Sequence, residues 1–205
     1  TFMLDACYNA GVKKVLFISS SAAYPKHTNK HVTEDEMFNG DPPDIYYHVG
    51  WMKRYAEIIC KTYSEKVARK MPCVVVRPSN VYGPHDKFDP DKSHVTASII
   101  RKVADRDNPI EVWGDGNDLR DVIYIDDFIE GSLLAFEKLD TYYPVNIATG
   151  LVYSVKEILN TALFVDGYQD AKVVYNTAKP STIRERYINV SRAKLMLDFT
   201  AKTSL

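Results

Sequence analysis

Residues Cys73–Ser79 read "CVVVRPS", and this run decides the fold. Three consecutive valines with no polar alternation describe a strand buried on both faces, as in a parallel sheet covered by helices. Upstream, residues 50–66 carry Met52, Ala56, Ile59 and Tyr63 at helical spacing, which predicts an amphipathic helix. Before it, "VKKVLFISS" (Val12–Ser20) is a second short β-rich run. Residues 1–10 read as a helix closed by Gly11, with Phe2, Leu4, Ala6 and Cys7 available to the core. The order helix, strand, helix, strand implies an α/β fold with a parallel sheet and helical crossovers. Ligands of such sheets bind outside the carboxyl ends of the strands. Those ends carry "SSSAAYP" (Ser19–Pro25) and "RPSNVYGPH" (Arg77–His85).

Downstream the pattern is less regular. Ser93 is placed to cap a helix reaching about Ala104. "IEVWGDG" reads as a short strand into a turn, and "RDVIYIDDFIEGSLLAFEKL" as a strand then a helix headed by Asp126 and Asp127. "YYPVNIATG", "SVKEILNTALFVDG", "KVVYNT" and "RERYINVSRAKLML" add further strands and helices. The expected division is 1–85 as part of one α/β domain and 86–205 mainly as a smaller C-terminal α/β lobe, with 121–150 returning to the first sheet.

Composition narrows the function classes. The 205 residues are 45% apolar and 26% charged, with a net charge of −1. Neither a nucleic acid nor an anionic membrane is favoured as partner. No apolar run approaches the roughly 20 residues needed to span a bilayer. Three cysteines without paired spacing suggest buried thiols in a reducing cytoplasm. His85 and Asp86 lack a spaced partner set, so no metal is expected. The chain begins inside an apparent helix with no N-cap and stops where another helix could start, so it reads as a fragment.

Tyr46–Glu57 reads "YYHVGWMKRYAE" and places Lys53 near the head of a helix at the strand-end cleft. A phenol four residues before a lysine would share its helix face, and the cation would favour phenolate. That place is held by Val49. Tyr46 lies about 10 Å away along a continuous helix axis, against about 6 Å for four residues. Two prolines and a glycine make "PPDIYYHVG" a plausible loop able to fold Tyr46 or Tyr47 back.

The ordered set "VLFISSSAAYPK", the helix-head lysine, "VVVRPSNVYGPHDKFDPDKSHV", "VWGDGNDLRDVIYIDD", "VNIATG" and "INVSRAKLML" resembles the extended short-chain dehydrogenase/reductases of NAD-dependent epimerase/dehydratase type. The resemblance covers nearly the whole chain. It implies a partial Rossmann-type sheet, an NADP or NAD cofactor and a nucleotide-sugar substrate of GDP-deoxyhexose or heptose kind. It also implies that the family's Gly-rich first half precedes residue 1, so this chain alone should bind a dinucleotide poorly. By the same resemblance Ser20 orients the sugar oxygen, Lys53 holds the ribose and tunes the acid, and Tyr46 or Tyr47 supplies the proton. His48 is a further candidate donor. His94 matches an acid/base histidine, while Ala22 stands where epimerising members carry a cysteine. Ser19, Lys53, Pro78, Asn80, Val81 and His94 match cofactor contacts; Arg120, Lys102, Trp113 and Lys179 match substrate contacts, with Arg101 adding charge nearby. A homodimer through the helix at 50–66 is implied, with Trp51, Tyr55 and Ile58 on its face. Because Val49 replaces the expected tyrosine, a catalytically impaired nucleotide-binding or subunit-partner homologue stays open beside the enzyme reading.

Overall fold

The computed structural model describes residues 2–26, 31–90, 92–179 and 183–205. In chain order its elements are α1 (Phe2–Asn9), β1 (Val15–Ile18), β2 (His31–Val32), α2 (Tyr47–Glu65), β3 (Cys73–Pro78), β4 (Asn80–Tyr82), α3 (Val95–Ala104), β5 (Ile110–Trp113) and β6 (Leu119–Arg120). There follow β7 (Val122–Tyr124), α4 (Ile125–Lys138), β8 (Pro144–Ile147), β9 (Tyr153–Ser154), α5 (Val155–Asp166), β10 (Val173–Asn176), β11 (Tyr187–Ile188) and α6 (Ser191–Leu197).

β3 is the centre of a three-stranded parallel sheet, with β1 on one side and β8 on the other. All six of its residues are buried. Successive side chains point to opposite faces. Val74 and Val76 pack with Phe128 and Ala135 of α4 and Leu197 of α6, whereas Cys73 and Val75 pack with Leu4 of α1 and Cys60 and Tyr63 of α2. Helices on both faces explain why the run is apolar without alternation. A separate core joins α3 and α5 with β5 and β10 through Ile99, Val103, Ile110, Val112, Leu159 and Leu163. The parallel pair β4–β7 connects the two regions, with Val122 in the second core and Ile123 in the first, and β2 pairs in parallel with β11.

α2 differs from expectation. It starts at Tyr47, three residues early, and its buried face is Gly50, Arg54, Glu57, Cys60, Tyr63 and Ser64. Met52, assigned to the core from its spacing, is 64% exposed. The reason is a buried ion pair: Arg77 Nη2 of β3 lies 2.5 Å from Glu57 Oε2, with both side chains sealed from solvent. Charged residues can hold the inner face of a helix when a partner from the sheet meets them there. Phe2 is likewise exposed rather than in the core, and His94, not Ser93, is the residue before α3. Gly167 ends α5 in the left-handed conformation, as its position predicts.

Candidate active site

The end of β1 turns sharply. Ser20 caps a short 3-10 turn at Ser21–Ala23, its Oγ accepting the Ala22 N–H at 3.1 Å. That bond uses a lone pair and leaves the Ser20 hydroxyl proton to donate elsewhere. Ser19 points the other way, donating to Glu57 Oε1 at 2.5 Å inside the core. Around Glu57 a buried network closes: Arg77 Nε donates at 3.0 Å, Arg77 Nη1 reaches Tyr24 Oη at 3.1 Å, and Tyr24 donates to Asn146 Oδ1 at 2.6 Å. Burial pushes the Tyr24 phenol up to about 12, so it stays neutral and serves as a structural donor. Ser19 and Tyr24 are thus pinned on either side of the Ser20 turn. Ser19 is therefore a support beneath the turn; it does not line the cavity described next.

A cavity of about 470 Å³ opens outside the strand ends. Ser20, Ala22, Tyr46, Asn80, Val81, His94 and Arg120 line it, together with Asp121, Ile183 and Arg186. Six of the residues singled out from sequence are therefore brought together here: Ser20, Tyr46, Asn80, Val81, His94 and Arg120. The two tyrosines part company. Tyr46 ends a 3-10 turn (Asp44–Tyr46) and faces the cavity, while Tyr47 is the first residue of α2 and faces a shallow outer groove with His48, Trp51, Met52 and Tyr55. Pro42 and Pro43 set this entry, and Gly50 lets the turn approach, because a Cβ on Gly50 would sit 2.5 Å from Pro42 Cβ.

Lys53 Nζ donates to the Ile18 carbonyl at 2.7 Å and lies 5.3 Å from the Phe17 ring centre. Burial holds its ammonium below the ordinary lysine range, with the Glu57 carboxylate opposing. Lys53 itself is outside the cavity lining, as is Val49 one helical turn before it. Arg120 is half-buried; its guanidinium donates to the Leu119 and Ile183 carbonyls at 2.9 and 2.6 Å and lies 3.2 Å from Asp118. Asp121, the next residue in the chain, accepts from Thr149 N and Oγ1 and from Gly150 N. Its carboxyl is raised above the usual aspartate range by burial.

Several assigned residues lie apart. Pro78 is buried at the end of β3 and outside the cavity lining. Lys102 donates to the Glu111 carbonyl at 2.6 Å, and Arg101 pairs with Asp105. Lys179 lies over the Trp113 ring, 5.1 Å from its centre. These four side chains belong to the α3–β5–β10 region and do not line the cavity. Sequence reasoning missed Arg186. Its Nη1 donates to Ser21 O at 2.5 Å and its Nη2 to Tyr24 O and Pro25 O at 3.3 and 3.1 Å. The only signal was an arginine in the short run "RERYINV", with no spacing that links it to residue 20. Among the described residues no group of three or more His, Cys, Asp or Glu could hold a metal, and no helix is long and apolar enough to cross a membrane.

A parallel sheet covered by helices, with a serine turn and a lysine at its carboxyl edge, is a Rossmann-type α/β arrangement. Residues 1–148 match the model of the NAD dependent epimerase/dehydratase family, and the chain belongs to that family. It is similar to the GDP-L-fucose synthase of Escherichia coli K12, 29% identical over 206 residues that cover 93% of this chain and 62% of that protein. The GDP-L-fucose synthase of Sinorhizobium fredii is 27% identical over 210 residues, covering 99% of this chain and 65% of the relative. Among solved structures, a UDP-glucose 4-epimerase from Thermotoga maritima, with UDP-glucose, superposes with a TM-score of 0.87 at 27% identity. That match covers 98% of this chain and 62% of the epimerase. The chain thus spans a little under two thirds of the length of these proteins.

Proposed function

We propose that the protein carrying this chain is an NAD(P)-dependent reductase or epimerase of a sugar nucleotide, with Tyr46 as its proton donor. The observation that carries this reading is that Tyr46 lines one cavity with Ser20, His94 and Arg120, while Val49 and Tyr47 stand outside it. The chain's residues fit the nicotinamide end of such a cofactor: a half-buried ammonium and a serine turn meet at the end of β1. Its diphosphate would need a glycine turn, and no G-x-x-G-x-x-G occurs in the 205 residues. Lys53, Asn80 and Val81 would hold the nicotinamide and its ribose. When bound, the cofactor supplies or accepts a hydride.

The remaining work falls to side chains. The free Ser20 proton would bond the sugar oxygen that changes order. Tyr46 would give that oxygen its proton, a contribution of the general-acid kind worth about 10²–10⁴ in rate. Arg120 would meet the substrate diphosphate, since a planar guanidinium suits phosphate oxygens. His94, exposed at the head of α3, would exchange a proton at a carbon beside the keto group. Ala22 has no proton to offer from the opposite side, which favours reduction over a two-sided inversion. The substrate class, a GDP-linked keto-deoxysugar, rests on the likeness to the fucose synthases. A homodimer through the outer face of α2 is proposed with it, because Trp51, Tyr55 and Ile58 form an exposed apolar stripe there.

The test is kinetic. Tyr46→Phe in the complete protein should lower kcat about 10²-fold or more, and Tyr47→Phe should not. Equal, small effects of the two changes would remove Tyr46 as the acid. The binding-protein reading based on Val49 would then take precedence.

A further inference from the structure

Tyr46 ends the 3-10 turn before α2 and lines the cavity, whereas Lys53 lies more than a turn inside α2 and does not line it. Lys53 is also committed elsewhere, to the Ile18 carbonyl and the Phe17 ring. Coulomb attraction falls with distance, and faster once water enters the gap. A phenol at Tyr46 therefore needs a nearer cation than the one the family pattern provides.

Arg186 stands at the right place. It lines the same cavity as Tyr46 and Ser20. Among the described residues its three hydrogen bonds all go to backbone carbonyls, those of Ser21, Tyr24 and Pro25. No carboxylate among the described residues forms a salt bridge with it, whereas Arg120 has Asp118 and Arg77 has Glu57. Carbonyl partners leave the full positive charge in place. Burial pulls the Arg186 guanidinium down to about 10; the Tyr46 phenol is first among the groups whose negative form would offset this, followed by Tyr24, while Arg120 works against it. A half-buried cation with no carboxylate partner among the described residues, on the wall of the cavity that Tyr46 and Ser20 also line, is placed to meet negative charge that develops there.

We infer that Arg186, rather than Lys53, is the cation that serves the Tyr46 phenol, and that the same guanidinium locks the Ser21–Pro25 turn beside Ser20. This rests on Tyr46 being the proton donor proposed above. When the Tyr46 O–H bond breaks and its proton forms the new O–H of the sugar, a phenolate remains. Arg186 faces that phenolate until a proton from water restores it. Arg186 bonds the serine turn and shares a cavity wall with the donor, and is a positioning residue.

The experiment has two readouts. In protein labelled with ¹³Cζ-tyrosine, the Tyr46 resonance is identified by its loss in Tyr46→Phe. At one fixed pH, Arg186→Gln should move it, Arg186→Lys should move it less, and Lys53→Met should leave it in place. Equal displacement by Arg186→Lys and Arg186→Gln would show a loop shift and overturn the inference, as would displacement by Lys53→Met alone. In the complete protein, Arg186→Gln should lower kcat on the order of 10²-fold, and Tyr46→Phe/Arg186→Gln should be no slower than Tyr46→Phe alone. Losses that multiply would overturn the inference. A Tyr46 resonance that responds to Arg186 in a protein without turnover would support the pairing and overturn only the reductase reading.

Discussion

Replacing Arg77 with Met tests the buried network under the serine turn. Arg77 is 1% exposed and Glu57 0%. The change removes two bonds to Glu57, at 3.0 and 2.5 Å, and those to Tyr24 Oη and the Glu34 carbonyl at 3.1 and 2.7 Å. Among the described residues, Glu57 then keeps bonds from Ser19 at 2.5 Å and Tyr142 at 3.4 Å. Stranding one charge of a buried pair costs about 3–5 kcal/mol. At about 2–4 °C per kcal/mol for a chain of this size, Tm should fall by roughly 6–20 °C. Arg77→Met with Glu57→Leu removes both charges and should recover most of the loss. It should fall short by about 1–3 kcal/mol for the Ser19 hydroxyl left without its acceptor. Urea unfolding followed by circular dichroism, with m-values compared, measures both variants. A single variant that loses under about 1 kcal/mol at unchanged m, or a double variant no better than the single, would refute the reasoning.

Gly50→Ala drives a Cβ to 2.5 Å from Pro42 Cβ, so a loss of about 1–3 kcal/mol is expected in thermal unfolding. Wild-type stability in that variant would mean that the Pro42 turn yields freely. Glu34 is raised above the ordinary glutamate range by burial. The folded state therefore holds its proton to higher pH than the unfolded chain, and stability falls as pH rises from the ordinary glutamate range through the raised one. Against Glu34→Gln, wild type should lose urea midpoint as pH rises above the ordinary glutamate range, about 4.3; a relative gain on that side would contradict the assignment. Trp51→Glu should halve the mass seen by light scattering if α2 forms the dimer, and a wild-type monomer would end that proposal.

The sheet was legible because a run such as Cys73–Ser79, covered on both faces, announces itself in one stretch. The inner face of α2 was not. Met52 carried the apolar spacing, but Glu57 went inside because Arg77, 20 residues away, meets it there. The choice between Tyr46 and Tyr47 depended on where the helix begins, and the Pro42–Gly50 contact is what goes with that boundary. Ser20, Arg120 and His94 sit at strand or helix ends, where an ordered set of motifs can mark them. Lys102, Trp113 and Lys179, matched to substrate contacts by resemblance alone, lie in the α3–β5–β10 region outside the cavity lining, a placement that no spacing in the sequence marks. Arg186 left almost no trace, since its partners are carbonyls, which every residue possesses.

The bond from Arg186 to Ser21 joins residues 165 positions apart. It constrains any attempt to recombine this protein with its relatives. Exchanging the C-terminal portion to change sugar preference looks modular, because the second core around α3 and α5 is separate from the first. Yet such a graft would also replace the anchor of the serine turn. A hybrid that keeps residues 183–188 with the recipient's own N-terminal portion should retain its turnover, while one that swaps them should lose catalysis even when it binds the new substrate.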